Sequence, residues 1–169
     1  MSPSPRSFEE YFARKWIEPS QLAAKIKKLK DEGKQITTLN GSFDLLHAGH
    51  LHIIYEASLQ GDVLVVALNT DASIQKYKSP KRPIITLASR ARMMAALGFV
   101  DYVTCFDETD PRVILDRIQP HIHVNGAEYG AECIEADVVR SHGGKIHIVP
   151  LIAGLSTSNI IKKIRETCD

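Results

Sequence analysis

One tryptophan, three cysteines and a net charge of only +1 are what this sequence has little of. A charge so close to balance offers no broad basic face, so neither nucleic acid nor an anionic membrane is an expected partner. Cys105, Cys133 and Cys168 are odd in number, far apart and without Cys-x-x-Cys spacing. That excludes a disulfide framework and fits reduced thiols in a cytosolic protein. No apolar run approaches the roughly 20 residues of a bilayer span. Met1 to Pro5 lacks the apolar core of a secretory signal, so a cytoplasmic location is expected. The stretch from Lys25 to Lys30 is rich in lysine, and Leu22, Ile26 and Leu29 recur along it at helical spacing. It reads as the solvated face of an amphipathic helix.

The 169 residues, 44% hydrophobic, suffice for one domain with a substantial core. Residues 1–19 read as an extension in which Phe8, Tyr11, Phe12 and Trp16 recur at helical spacing. Such aromatics serve equally to pack on their own domain or to meet another subunit. From Ser20 to residue 169, strand and helix patterns alternate. Ser20 is a candidate N-cap with Gly33 past the helix end, followed by a strand over 36–39. Asp62 to Leu68 is a continuous apolar run of the kind buried on both faces of a parallel sheet. Thr86 is placed as the cap of a helix reaching Leu97, and Asp110 as the cap of one with Pro111 at its first position. Further strands are expected at Tyr102–Cys105, His121–Val124 and Lys145–Val149, with a last helix opening at Ser156. Repeated β-α units of these lengths predict a single α/β, Rossmann-like domain: an open parallel sheet with helices on both faces. In such sheets ligands gather beyond the carboxyl ends of the strands.

The most informative segment lies at one such end. Asn40-Gly41-Ser42-Phe43-Asp44-Leu45-Leu46-His47-Ala48-Gly49-His50 joins the strand over 36–39 to a helical pattern through Leu51 and Ile54. Imidazoles at His47 and His50 therefore stand at a strand-to-helix turn, beside helix amides without intrahelical partners. Gly41 and Gly49 leave room for a phosphate to approach the backbone there. Ser156, Thr157 and Ser158 put three hydroxyls at the start of another helix, a second anion site suited to the outer phosphates of a nucleoside triphosphate. Helix capping or exposed imidazoles would be the bland reading of the histidines. A zinc site of His47, His50 and His52 is weaker, because His50 and His52 diverge on a helix and no ligand set has metal spacing.

Gly-Ser-Phe-Asp-x-x-His-x-Gly-His, Asn69-x-Asp71-Ala-Ser and Gly-x-Ser156-Thr157-x-Asn-Ile-Ile, in this order from about Gln21 to Ile164, resemble the HxGH cytidylyltransferase-like nucleotidyltransferases. Within that superfamily the chain is most similar to the adenylyltransferase domains that make ADP-heptose from heptose 1-phosphate. The resemblance implies that His47, His50 and Lys78 are catalytic, and that Gly41, Ser42, Phe43, Gly49, Arg90, Gly126, Ser156, Thr157 and Ser158 contact the nucleotide. It assigns Asn69, Asp71 and Asp44 to the substrate side. Asp71 also fits a helix N-cap or a group that organises Mg²⁺, and Asp44 is similarly ambiguous. Lys76 matches a lysine of only some relatives. Mg²⁺ is expected to arrive with ATP, its ligands unassigned, and the partners implied are ATP and a sugar 1-phosphate, in a homodimer or larger homo-oligomer.

Two departures from the family pattern bear on substrate. The glycerol-phosphate and choline-phosphate cytidylyltransferases carry Arg-Thr-x-Gly-Ile-Ser-Thr-Thr near the end, and Leu151 stands at the arginine position here. The ADP-heptose-making domains lack that arginine too, which favours ATP over CTP. Those domains usually show Lys-Gly-Gly-Asp-Tyr, where this chain has Asn125-Gly126-Ala127-Glu128-Tyr129. The expectation is an adenylyltransferase that transfers AMP from ATP to a heptose 1-phosphate. A glycerol-3-phosphate-type cytidylyltransferase and a non-catalytic nucleotide-binding module of the same fold are the alternatives.

Overall fold

The structure, a computed structural model, describes residues 7–168. Residues 1–6, which hold the Pro- and Ser-bearing opening of the extension and the stretch read for a signal peptide, lie outside the described residues. Five strands, β1 (Ile36–Gly41), β2 (Val63–Asn69), β3 (Tyr102–Phe106), β4 (Ile122–Gly126) and β5 (Lys145–Val149), form one parallel sheet in the order β3-β2-β1-β4-β5. The chain runs outward from β1 to β3, then returns to lay β4 along the other side of β1. The connection reverses between β1 and β4, which makes their carboxyl ends the switch point where such sheets bind ligands.

All seven residues of β2 are buried, as its unbroken apolar run requires. Leu64, Val66 and Leu68 face one core with Ile54 and Ala57 of α3 (Ala48–Ser58) and Ala91 and Met94 of α5 (Leu87–Ala96). Val63, Val65 and Ala67 face the other. There they meet Leu22, Ile26 and Leu29 of α2 (Leu22–Asp31), Ile114, Leu115 and Ile118 of α6 (Arg112–Ile118) and Val139 of α7 (Ala136–Ser141). The period of two along each strand thus divides the helices into two layers, in agreement with the fold class read from sequence. Among the described residues, no helix is long and apolar enough to cross a membrane.

The described part of the extension, from residue 7, packs on its own domain. Helix α1 (Phe8–Lys15) is capped by Ser7, whose hydroxyl accepts from the Glu10 N–H. Phe12 and Trp16 stack with centroids 5.7 Å apart and pack on the core. The Ile17 N–H donates to the Val103 carbonyl at 2.8 Å.

Some helix starts differ from expectation. Ser20 does not cap α2, whose flanking residue is Gln21, with no side-chain bond. Asp110 stands one residue too early: Pro111 takes the capping position of α6, and the Asp110 carboxylate instead accepts from both the N–H and the guanidinium of Arg112. Thr86 flanks α5, but its hydroxyl turns to Ser89.

Candidate active site

A cleft of about 270 Å³ opens over the carboxyl ends of β1, β4 and β5. One wall is the β1 exit: Asn40, Gly41, Ser42 and Phe43, then His47, Gly49 and His50 of α3. Opposite stand Asn125, Gly126, Glu128 and Tyr129 beyond β4, with Pro150, Leu151, Ile152 and Leu155 beyond β5. Ser156 and Thr157, at the start of α8 (Thr157–Thr167), and Lys78, at the end of α4 (Asp71–Tyr77), close the ends.

His47 is the N-cap of α3. Its Nδ1 accepts from the N–H of Gly49 at 3.1 Å and from that of His50 at 3.4 Å. The amides expected to be bare are therefore held by the His47 ring, because the extended backbone at His47 folds its side chain back over the first turn. Capping and a role in the cleft coexist here. With Nδ1 accepting, a neutral His47 carries its proton on Nε2, leaving that nitrogen as a donor. His50 stacks on it with centroids 3.8 Å apart and meets Phe43 edge-on at 5.2 Å. Burial first, then the neighbouring His47 and Lys78, lower the His50 pKa to about 4, and burial lowers that of His47. Both rings are neutral at pH 7, which suits hydrogen-bond donation rather than fixed charge. The buried His50 Nδ1 has no hydrogen-bond partner among the described residues.

Lys78 reaches the cleft and donates to the Ser42 hydroxyl at 2.9 Å. Its pKa is lowered, first by loss of water around the ammonium and then by repulsion from Arg82. The backbone at Phe43 is left-handed (φ 44°), and a Cβ on Gly41 would stand 3.0 Å from the Phe43 ring, so any larger residue there would press the ring aside. A Cβ on Gly49 would crowd the His47 ring at 3.0 Å. Ser156 caps α8 by accepting from Asn159 N–H, and the Thr157 hydroxyl donates to the Asp44 carbonyl at 2.9 Å.

Five expected site residues are not in the cleft wall. Arg90 is fully buried: Nε donates to the Ile85 carbonyl, Nη1 to that of Ser42, and Nη2 to the Asn69 carbonyl and the Asp71 carboxylate. Its guanidinium is spent on the scaffold rather than on phosphate. Asp71 accepts from Arg90 and from the Leu87 N–H, and the cap of α4 is Thr70. Asp44 is buried beneath the loop, accepting from Arg82 and from the N–H groups of Ile84 and Ile85; these bonds hold its carboxyl below the usual range against the opposing effect of burial. The Asn69 amide donates to Ser73. Ser158 is exposed on the outer side of α8, and Lys76 lies on exposed surface. Sequence reasoning did not assign Asn40, Asn125 or Glu128 to the site, and it read Leu151 only as the position where alcohol-phosphate cytidylyltransferases have arginine. Their signal was position, immediately after strands at the switch point.

Comparison with known proteins agrees with this geometry. The model of the cytidylyltransferase-like family matches residues 38–163. The bifunctional protein HldE of Geotalea uraniireducens is 45% identical over 145 residues, covering 85% of this chain and 30% of that protein. HldE of Azotobacter vinelandii is 42% identical, covering 86% and 31%. The chain thus spans about 30% of the length of the curated relatives it matches. A lipopolysaccharide core biosynthesis protein from Thermoplasma volcanium superposes with a TM-score of 0.57 at 28% identity, covering 71% of this chain and 98% of that one. The pantoate-beta-alanine ligase of Francisella tularensis shares the fold at 14% identity and a TM-score of 0.56. With the match running from within β1 into α8 and taking in every wall of the cleft, this chain belongs to the cytidylyltransferase-like family and is a nucleotidyltransferase.

Proposed function

We propose that the chain transfers AMP from ATP to a heptose 1-phosphate, giving ADP-heptose and pyrophosphate. An oxygen of the sugar phosphate attacks the α-phosphorus of ATP, the bond to the bridging oxygen breaks, and pyrophosphate leaves with that electron pair. A phosphate monoester is already largely dianionic at neutral pH, its second pKa being near ~6, so no general base is needed. The protein's task is to bring polyanions together and to stabilise charge on oxygens in transit. His47 Nε2–H and the neutral His50 supply donors at the switch point, Lys78 supplies the cation at the cleft, and Ser156 with Thr157 opens α8 toward it. Mg²⁺ would accompany the triphosphate, held chiefly by phosphate oxygens; Asp44 and Asp71 are engaged by arginines and backbone N–H groups.

The observation that carries the reading is the capped, neutral histidine pair facing a cleft in a chain 45% identical to HldE over 145 residues. Leu151 in the cleft wall, where the alcohol-phosphate cytidylyltransferases have arginine, favours ATP. Pyrophosphate release is measured with ATP or CTP against D-glycero-D-manno-heptose 1-phosphate or glycerol 3-phosphate. Turnover with ATP and the heptose phosphate is expected; turnover confined to CTP and glycerol 3-phosphate would reject the assignment, and nucleotide binding without turnover would indicate a binding module.

A further inference from the structure

We propose that His52 reads the base: its imidazole accepts a hydrogen bond from the 6-amino group of adenine. This rests on the adenylyl reading of the cleft and adds to it a side chain that selects the nucleotide. His52 lies outside the Gly-Ser-Phe-Asp-x-x-His-x-Gly-His pattern, yet it lines the cleft. Among the described residues no cluster of three or more histidines, cysteines and acids is placed to hold a metal, which sets aside a zinc role for this third imidazole.

Two residues turn an α-helix by ~200°, so His52 points away from His50 and the phosphate end of the cleft. It shares a face of α3 with Gly49 and Ile53, which also line the cleft. A Cβ on Gly49 would stand 3.1 Å from the Leu155 Cβ, so this face of α3 lies against the segment beyond β5. Leu151, Ile152 and Leu155 form the other side and are 56%, 42% and 41% exposed. Large apolar side chains left uncovered beside a cleft mark the place of an apolar group, and the faces of a base are flat and apolar.

Within that slot the side-chain polar chemistry reduces to one residue. Gly49, Ile53, Leu151, Ile152 and Leu155 carry no polar side-chain atom. His52 is half-buried, and neither of its ring nitrogens is hydrogen-bonded to a described residue. A neutral imidazole carries one acceptor nitrogen. Adenine in a nucleotide has a single donor, its 6-amino group, which gives up water as the ring enters the slot. A donor left unmade is costly, so the one donor of the base pairs with the one side-chain acceptor of the slot.

The test is calorimetric titration with Mg²⁺ and no sugar phosphate, comparing ATP with purine riboside 5′-triphosphate, which lacks only the 6-amino group, and with CTP. The unaltered protein should bind ATP roughly 3- to 10-fold more tightly than the analogue, the range for one hydrogen bond between neutral groups. His52→Ala, a substitution that favours the helix, should erase that ratio. His52→Phe, which keeps a flat ring but no acceptor, should erase it too. Because the ratio compares two ligands on one protein, a general weakening of the site does not move it. Equal binding of ATP and the analogue by the unaltered protein overturns the proposal and leaves transfer from ATP standing, as does a ratio that survives either substitution. Tighter binding of CTP than of ATP by the unaltered protein would instead sink the adenylyl reading, and the adenine assignment of His52 with it.

Discussion

Replacing Arg90 with lysine separates a scaffold role from a phosphate-binding one. The guanidinium makes four hydrogen bonds, at 3.0 Å to the Ile85 carbonyl, 2.7 Å to that of Ser42, 2.9 Å to that of Asn69 and 2.7 Å to the Asp71 carboxylate. These ties join the loop after β1, the end of β2 and the approach to α5. Lysine keeps the charge but offers one nitrogen in place of a planar fork, so it can serve about half of these acceptors. Two acceptors, buried or half-buried, then lose their partner at about 1–3 kcal/mol each. A loss of about 2–6 kcal/mol follows for Arg90→Lys, a large share of the ~5–15 kcal/mol typical of a domain. Urea denaturation at 25 °C measures it as a fall in midpoint at constant slope. Below the midpoint, the folded fraction should retain its affinity for ATP. A loss under about 1 kcal/mol together with a tenfold weaker ATP affinity would refute the scaffold assignment and return Arg90 to the nucleotide.

His50→Ala should reduce kcat by roughly 100- to 1000-fold, the usual cost of one transition-state donor, with the urea midpoint little changed; kcat within threefold of the unaltered enzyme would remove His50 from the chemistry. Lys78→Ala should weaken ATP binding, and an unaltered dependence of rate on ATP concentration would contradict its place in the cleft. His123, buried in β4 against the Thr38 hydroxyl, has its pKa lowered to about 3 by burial. Because its folded pKa lies below the ordinary value of about 6.5, its contribution is complete above that value and is lost as pH falls. Moving from pH 7 to pH 5 should cost on the order of 2 kcal/mol at this residue. Denaturation of the unaltered chain and of His123→Gln at both pH values checks this, and equal pH dependence in the two would refute it. For the same reason kcat should not fall with protonation of His50 above pH 5. An acid limb near ~6 belongs to the acceptor phosphate and should persist in the residual activity of His50→Ala.

Much of this was legible in the sequence. The Val63–Asn69 run announces a strand buried on both faces, and the histidine motif falls at the switch point because its neighbours are a strand and a helix. Ser156 caps α8 as its residue type suggests. Partnerships across the fold were not legible. Arg90 finds Ser42 forty-eight positions away, and Asp44 finds Ile85 forty-one positions away. No local pattern distinguishes such a buried arginine or aspartate from one that meets a ligand. The His47 cap was also obscure, since N-caps are ordinarily short oxygen-bearing side chains. At Asp110 the capping chemistry was real but displaced by one residue, because Arg112 forks onto the same carboxylate.

A crystal structure with Mg²⁺ and a non-hydrolysable ATP analogue bears most directly on how the cleft is used. We expect the α-phosphate within hydrogen-bonding distance of His47 Nε2 and of the His50 ring, with the base against Leu151, Ile152 and Leu155. A triphosphate bound away from both imidazoles, with the His50 Nδ1 still unpartnered, would contradict the assignment of this cleft as the site of nucleotidyl transfer.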